Sequence, residues 1–535
     1  LAGGIDVGAP GEYVLVELRD RRPSGFREDL HVGRTPAYPD LSAEGEQLVM
    51  NPTATSRSDD FDRLGSETWD VLVIGGGIVG SGVARDAAMR GLRVALVDRH
   101  DFAFGTSSRS SRLLHGGLRY LAQGHVGLVH EASVEKCVLH RIAPHLAHPL
   151  PFLFPTYRRT PWARWKLSIG VRIYDWLCGR RNLGPSSTLS VAEIVEKLPG
   201  LRRENLTGGV RYFDGLTNDA RLVIDTLRSA VAHGALVRNY TTFVAADPAS
   251  PGWTCRVRDE TGDREARVAA ATVVNAAGCW AADVPHSRVR LRLTKGIHLV
   301  LDQARFAVPE AVVMAEGKRI LFALPWAERV IVGSTDTDYD GSLEDVPTDE
   351  SDVAYVLDVV NRAFPPARLE PTDVLAHWAG VRPLIAPKKV RRGSPSDTSR
   401  NHQIRMPHSG WIDVAGGKLT TYRRMAQQTV DLVGRHLKRA LPACRTAREP
   451  LVDPAEAAFS GVVPPPVARE AVEHYCRREW ALRLDDVMLR RAGWHYYRKD
   501  ADDVARQTAA WMAEILGWDE AKREAELKHL RHVTR

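Results

Sequence analysis

Three glycines and a carboxylate at fixed spacing carry the first chemical signal in this chain. The apolar run Val71, Leu72, Val73, Ile74 enters Gly75-Gly76-Gly77-Ile78-Val79-Gly80. It continues through Ala84, Ala87, Ala88 and Gly91 to a second apolar run, Val94 to Val97, that ends in Asp98. This is the pattern of a βαβ dinucleotide-binding unit. Gly75 permits a tight turn, Gly77 lets backbone N–H groups approach a pyrophosphate at a helix N-terminus, and Gly80 lets helix and strand pack closely. Asp98 stands about 20 residues on, where a carboxylate can accept both hydroxyls of an adenosine ribose. The chemistry is that of a redox dinucleotide, and the glycines alone leave NAD, NADP and FAD open.

Two further segments have the composition of ligand-binding turns. Gly105-Thr106-Ser107-Ser108-Arg109-Ser110-Ser111-Arg112 runs into Leu113-Leu114-His115-Gly116-Gly117-Leu118-Arg119-Tyr120, combining small residues with hydroxyls and bases. Asp413-Val414-Ala415-Gly416-Gly417-Lys418-Leu419-Thr420-Thr421 is a second glycine turn leading into a helical pattern. A second helix N-terminus can supply N–H groups to another part of the same cofactor, so two such turns far apart in sequence point to a long ligand. The stretch Thr272 to Ala277 reads as a strand returning to the first domain, and Gly278 gives it a small-residue ending close to that ligand.

The elements that must position these residues can be outlined from pattern. At 535 residues with 44% hydrophobic composition, the chain has room for roughly three domain-sized units and substantial cores. Ile297–Leu301, Ile320–Leu324 and Val330–Gly333 read as strands of an antiparallel sheet over a buried site. From about Pro466 apolar residues recur at helical spacing, giving a helical cap over 466–535, after a helix and proline-rich linker over 425–465. Residues 1–66 lack a sustained period and are expected to be a mostly disordered extension. The fold class is therefore α/β: a Rossmann-type domain interleaved over 67–424 with an antiparallel-sheet substrate domain, plus the C-terminal helical cap. The six cysteines have no CxxC or zinc spacing, so no metal is expected. No run of about 18 apolar residues would span a membrane. The net charge of +7 suits an anionic surface or substrate; with no aromatic array for stacking bases, nucleic acid is not an expected partner.

The motifs together resemble the FAD-dependent glycerol-3-phosphate dehydrogenases, within the D-amino-acid-oxidase-like flavoproteins. They are GGGIVGSGVARDAAMRGL, TSSRSSRLLHGGLRYL, DARLV from Asp219, NAAGCWA from Asn275, KGIHLVL from Lys295, GSTDTDY from Gly333, AGVRPL from Ala379 and GGKLTTYR from Gly416. The resemblance covers about Thr68 to Arg424 well and the cap more loosely. Three departures stand out: the N-terminal extension, a shortened stretch between Val452 and Glu473, and Asp98 where a glutamate is common.

The resemblance selects noncovalent FAD, with Gly75, Gly77, Gly80, Asp98, Thr106, Ser107, Ser108, Gly117, Gly278, Gly416, Gly417, Leu419 and Thr420 as its contacts. It implies oxidation of sn-glycerol 3-phosphate to dihydroxyacetone phosphate by hydride transfer to FAD. Arg119, Tyr120, His298, Arg382, Arg400 and Lys418 are placed around that substrate. Arg400, Lys418 and Tyr120 would hold the phosphate; Arg119 and Arg382 would orient the glycerol end or stabilise developing negative charge. His298 is the expected general base, because imidazole exchanges protons near neutral pH; on the residues alone, its apolar strand reads as the setting of a core histidine. Asp219 and Arg221 are expected to pair with each other outside the site. The implied electron acceptor is a membrane quinone. The basic, aromatic segment 158–181 would lie peripherally on an anionic lipid surface at the inner face of the cell membrane, and a homodimer is left open as a partner. The alternatives are a glycerol-3-phosphate oxidase using oxygen, a related amine or 2-hydroxy-acid oxidase, and a flavin-binding sensor without turnover.

Overall fold

The computed structural model describes residues 54–117, 126–179, 182–317, 319–386 and 402–535. Among these residues the strands form two sheets, one of eight strands and one of ten. The first grows from the glycine-turn strand, Thr68–Ile74, which pairs in parallel with Val94–Val97 on one side and Arg264–Asn275 on the other. Trp411–Gly416 and Leu236–Arg238 extend the parallel array in the two directions. Val71, Leu72 and Val73 are all fully buried, as a parallel strand covered on both faces must be.

Those covers are unlike each other. On one face the helices Ile78–Met89, Asp219–Ala232 and Tyr422–His436 enclose a core that includes Val73, Ala84, Val223 and Met425. On the other lie the antiparallel strands Thr241–Pro248 and Trp253–Asp259 and a helix at Ala54–Ser66. That helix corrects part of the expected disordered extension. Its Phe61 and Leu64 are buried against Trp69 and Val257, and each such side chain contributes about 1.5–3 kcal/mol of burial. Residues 1–53 lie outside the described residues.

The second sheet is mostly antiparallel. The strand carrying His298, Leu291–Asp302, lies between Arg329–Gly333 and Val374–Ile385. Arg319–Trp326, Ala311–Glu316, Ala147–Tyr157 and Leu206–Thr217 carry the sheet outward.

The C-terminal cap is built from helices at Arg469–Arg478, Ala501–Leu516 and Glu520–Val533 around a core that includes Tyr475, Met488 and Trp494. A π-helical turn, Asp486–Arg491, joins it to the first domain. Arg490 Nε and Arg491 Nη1 both donate to Asp101 Oδ2, at 2.5 and 2.6 Å. The proline-rich linker is tied down as well: Trp326 Nε1 donates to Val462 O and Trp494 Nε1 to Pro465 O.

Candidate active site

Gly75 has φ +103°, and a Cβ there would sit 2.7 Å from Ala276 O; a Cβ on Gly80 would sit 1.9 Å from Gly75 O. These two glycines let the turn close against the neighbouring strand and its own helix. Gly77 is the extended N-cap of Ile78–Met89 and makes no side-chain cap. Ser107 Oγ accepts from Ile78 N at 3.0 Å, so Ser107 caps this helix from a distant loop. Asp98 braces the same turn: Oδ2 accepts from Gly76 N at 2.6 Å and Oδ1 from His100 N at 2.9 Å. Burial pushes its carboxyl up to about 7 against the pull of those two N–H groups. A carboxylate has about four acceptor sites, so ribose hydroxyls can still be received.

Beyond the turn opens a cavity of about 280 Å³ whose lining includes His298, Arg382 and Lys418. Thr106, Gly117, Gly417, Leu419 and Thr420 line the same cavity. The other expected cofactor contacts, Gly75, Gly77, Gly80, Asp98, Ser107, Ser108, Gly278 and Gly416, lie outside it. Thr106 Oγ1 donates to Val381 O at 2.6 Å, fastening its loop to the Arg382 strand. Arg119, Tyr120 and Arg400 fall outside the described residues.

The surroundings of His298 and Arg382 are shaped by glycines on neighbouring strands. The antiparallel register pairs Thr294 with Arg382, Gly296 with Gly380 and His298 with Trp378, all on one face. The Arg382 guanidinium lies over Gly296, where a Cβ would be 2.2 Å from Nη2. It donates to Ser334 Oγ at 2.5 Å and Thr335 O at 3.2 Å, and pairs with Asp336 at 3.3 Å. On the other flank of His298 stands Gly333, where a Cβ would be 2.7 Å from the imidazole Cδ2.

Comparison with known proteins fits this arrangement. Residues 70–423 match the family model described as FAD dependent oxidoreductase, and residues 446–523 match the C-terminal domain of alpha-glycerophosphate oxidase. The chain belongs to the FAD-dependent oxidoreductase family. Its cofactor is FAD. A glycerol-3-phosphate dehydrogenase of Mycobacterium leprae is 40% identical over 381 residues, 69% of this chain and 64% of the relative. An aerobic glycerol-3-phosphate dehydrogenase of Staphylococcus aureus is 39% identical over 385 residues, 70% of this chain and 69% of the relative. The structure of the Bacillus halodurans glycerol-3-phosphate dehydrogenase with FAD superposes with a TM-score of 0.71 at 28% identity, covering 90% of this chain and 97% of that one. The L-alpha-glycerophosphate oxidase of Mycoplasma pneumoniae shares the fold, with a TM-score of 0.57 at 17% identity, covering 71% and 98%.

The residues of this oxidoreductase fit FAD on two counts. Two glycine turns precede two helices of the first domain, Ile78–Met89 and Tyr422–His436, and the second turn runs through Gly416 and Gly417 at φ +70° and +83°. Left-handed backbone there presents N–H groups with no Cβ in the way. A Cβ on Gly417 would strike Met425 Sδ at 2.3 Å.

His298 is 2% exposed. Its Nε2 lies 2.8 Å from Ser111 Oγ, and its ring stacks on Trp378 with centroids 5.2 Å apart. Nδ1 has no hydrogen-bond partner among the described residues. Burial, then the Arg382 and Arg112 charges, hold the imidazole pKa well below the usual histidine value.

Sequence reasoning in this oxidoreductase missed Ser111, Arg112 and Trp378. The first two stand in TSSRSSR, where hydroxyls and bases crowd together and none is marked out; Trp378 meets His298 only through the sheet register. The expected Asp219–Arg221 pair is corrected. Asp219 lies 3.8 Å from Arg112 and accepts from Ser110 N, whereas Arg221 bonds Glu479 at 2.5 and 2.8 Å and Asp225 at 3.2 Å. Residues two apart on the helix Asp219–Ala232 project from different faces, which separates them.

Proposed function

We propose that this oxidoreductase oxidises sn-glycerol 3-phosphate to dihydroxyacetone phosphate and passes the electrons to a membrane quinone. The observation that carries this reading is that His298, Arg382 and Lys418 line one cavity together with Gly417 of the second glycine turn. Bound FAD supplies the hydride acceptor.

The chain's residues divide the remaining work. The turn Gly75–Gly80 and the Ile78–Met89 N-terminus hold the pyrophosphate. His298, uncharged at neutral pH, takes the hydroxyl proton, and Ser111 Oγ fixes the ring at Nε2. Lys418 and Arg400 receive the phosphate dianion with Tyr120, while Arg382 and Arg119 stabilise negative charge near the reacting carbon. Asp336 and Ser334 hold the Arg382 guanidinium in place.

The aromatic part of the cavity lining supports an apolar acceptor. Phe152, Phe154, Trp162, Tyr212 and Phe322 line it, and a three-carbon phosphate ester has no use for such a wall. Trp162 stands just ahead of the helix Arg164–Cys178, which buries Leu167, Val171 and Tyr174. The same helix exposes Trp165 at 63%, Ile169 at 51% and Trp176 at 79%. With Arg164, Lys166 and Arg172 among them, these side chains suit a helix lying on anionic lipid. Among the described residues, no helix is long and apolar enough to cross a membrane.

The test is anaerobic addition of glycerol 3-phosphate to the FAD-loaded protein, followed by absorbance. Bleaching of the flavin band, reversed by a short-chain quinone with little peroxide formed in air, is expected. No bleaching would reject the substrate, and stoichiometric peroxide would reassign the acceptor to oxygen.

A further inference from the structure

Arg112 is a buried cation for which the reaction described above has no role. It is 3% exposed and adopts φ +55°, left-handed backbone that arginine rarely takes. That conformation is pinned from both sides: Arg112 N donates to Ser110 Oγ at 3.0 Å, and Thr217 N donates to Arg112 O at 2.8 Å.

The guanidinium enters an aromatic cage. Its carbon lies 4.4 Å from the Trp326 ring centroid, 5.0 Å from Trp378 and 5.8 Å from Tyr496. Trp326 and Trp378 come from two strands of the second sheet, and Tyr496 comes from the cap. Asp219 is the carboxylate at 3.8 Å, while Nε and Nη1 have no hydrogen-bond partner among the described residues. A cation over aromatic faces in a dry site is held by the ring quadrupoles. Arginine stays charged under such conditions.

The cage shares a wall with the reaction site. Trp378 is both the ring over which Arg112 lies and the ring on which His298 stacks, and Tyr496 meets it edge-on at 5.1 Å. Trp378 Nε1 donates to Ser110 O at 3.2 Å, next to the Ser111 hydroxyl that contacts His298. Cap, loop and sheet thus converge on one imidazole.

We propose that Arg112, fixed between sheet and cap, is a positioning residue for His298: its charge, and the Trp378 ring that both side chains touch, keep the imidazole uncharged and facing Ser111. This rests on the reading of His298 as the base. Among the described residues two cations act on the imidazole: Arg382 from the neighbouring strand, itself offset by Asp336, and Arg112 from the loop. Asp219 lies behind Arg112, Lys418 and His115 line the same cavity, and Tyr496 closes the cap side. Removing Arg112 therefore removes one of the charges that disfavour protonation.

The experiment uses the FAD-loaded full chain, comparing Arg112→Met/Asp219→Asn with Arg112→Lys. Two quantities are measured against pH: the anaerobic rate of flavin bleaching by glycerol 3-phosphate, and the titration of His298 by NMR of ring-labelled histidine, assigned by loss of its signal in His298→Ala. In the double variant the acid limb of the rate and the His298 titration should both rise by about one pH unit, a tenfold change in protonation equilibrium, with KM changed less than threefold. Arg112→Lys should restore both. A double variant with full FAD and an unmoved His298 titration overturns the proposal. A titration that moves without the kinetic limb upholds Arg112 but removes His298 as the base. Should the double variant fail to retain FAD, Tyr496→Leu, which opens the cage to water, replaces it; a rise in the same direction supports the proposal, and a wild-type titration overturns it.

Discussion

Gly296 lies directly beneath the guanidinium of Arg382: a Cβ at this glycine would sit 2.2 Å from Nη2 and 2.6 Å from Cζ. The two residues are on adjacent strands, offset in the register by the Gly296–Gly380 pair. An arginine normally stands away from a sheet; here the missing side chain lets it lie flat, with Asp336, Ser334 and Thr335 holding its far end.

Gly296→Ala is therefore expected to act on substrate rather than on cofactor. The added methyl must lift the guanidinium off the sheet and break its bonds to Ser334 and Asp336. We expect kcat/KM for glycerol 3-phosphate to fall at least about tenfold, equivalent to about 1.4 kcal/mol of transition-state stabilisation. The flavin absorbance per chain should be unchanged. Wild-type kcat/KM in this variant would mean that the position of Arg382 is immaterial to turnover.

His298 gives a pH prediction with a definite sign. A depressed imidazole pKa means that the neutral, proton-accepting form persists below the usual histidine value of about 6.5. The flavin-bleaching rate at saturating substrate should stay level from pH 8 to below 6, where an ordinary histidine would already have lost more than half of its base form. His298→Ala should retain FAD and lose roughly 10²–10⁴-fold of this rate. Stopped-flow absorbance without oxygen checks both. A wild-type rate in His298→Ala would return this side chain to the core histidine that its apolar strand suggests.

Local pattern reveals much of this protein, and long-range register hides the rest. The first βαβ unit is legible because its glycines and apolar runs are contiguous, and the returning strand at Thr272 is legible because its small-residue ending fits only beside such a turn. Ser107 reads as a cofactor contact yet bonds the N-terminal N–H of Ile78, a cap supplied across a loop that no local spacing encodes. The neighbours of His298 depend on which strand lies beside it, and Trp378 is distant in sequence. The helix Ala54–Ser66 is hidden for a related reason: its two buried anchors, Phe61 and Leu64, stand in a charged stretch and gain their meaning only from the sheet beneath them.

The junction between cap and first domain makes a stability prediction. Asp101 is fully enclosed, and Arg490 and Arg491 hold its carboxyl well below the usual carboxylate range despite burial. Asp101→Ala would leave two buried guanidinium groups short of their partner, a loss of about 3–5 kcal/mol. For the wild type, a depressed carboxylate pKa stabilises the fold above the unfolded value of about 3.9, and that contribution fades as pH falls through the lower folded value. Thermal melts of the FAD-loaded protein at pH 7 should show a lowered midpoint for Asp101→Ala, with part of the difference from wild type lost toward pH 3. An unchanged midpoint at pH 7 would show that this ion cluster does not hold the cap.

The helix Arg164–Cys178 supplies the last test. Its buried side, Leu167, Val171 and Tyr174, belongs to the protein core, so substitutions on that side would confuse membrane binding with folding. Trp165 and Trp176 are 63% and 79% exposed, and Lys166 lies 5.6 Å from the Trp165 ring centroid. This is the arrangement in which a ring enters the headgroup layer while its neighbouring base stays with lipid phosphates. Trp165→Ser/Trp176→Ser should weaken sedimentation with anionic vesicles at all salt concentrations, because the lost contribution is apolar. Neutralising Arg164, Lys166 and Arg172 should weaken it most at low salt, by about 1 kcal/mol per base. In both variants, flavin bleaching by glycerol 3-phosphate should proceed at the wild-type rate, because none of these side chains lines the cavity. Vesicle binding unaffected by either set would place the lipid-facing surface elsewhere on the molecule and leave the exposed tryptophans for another partner.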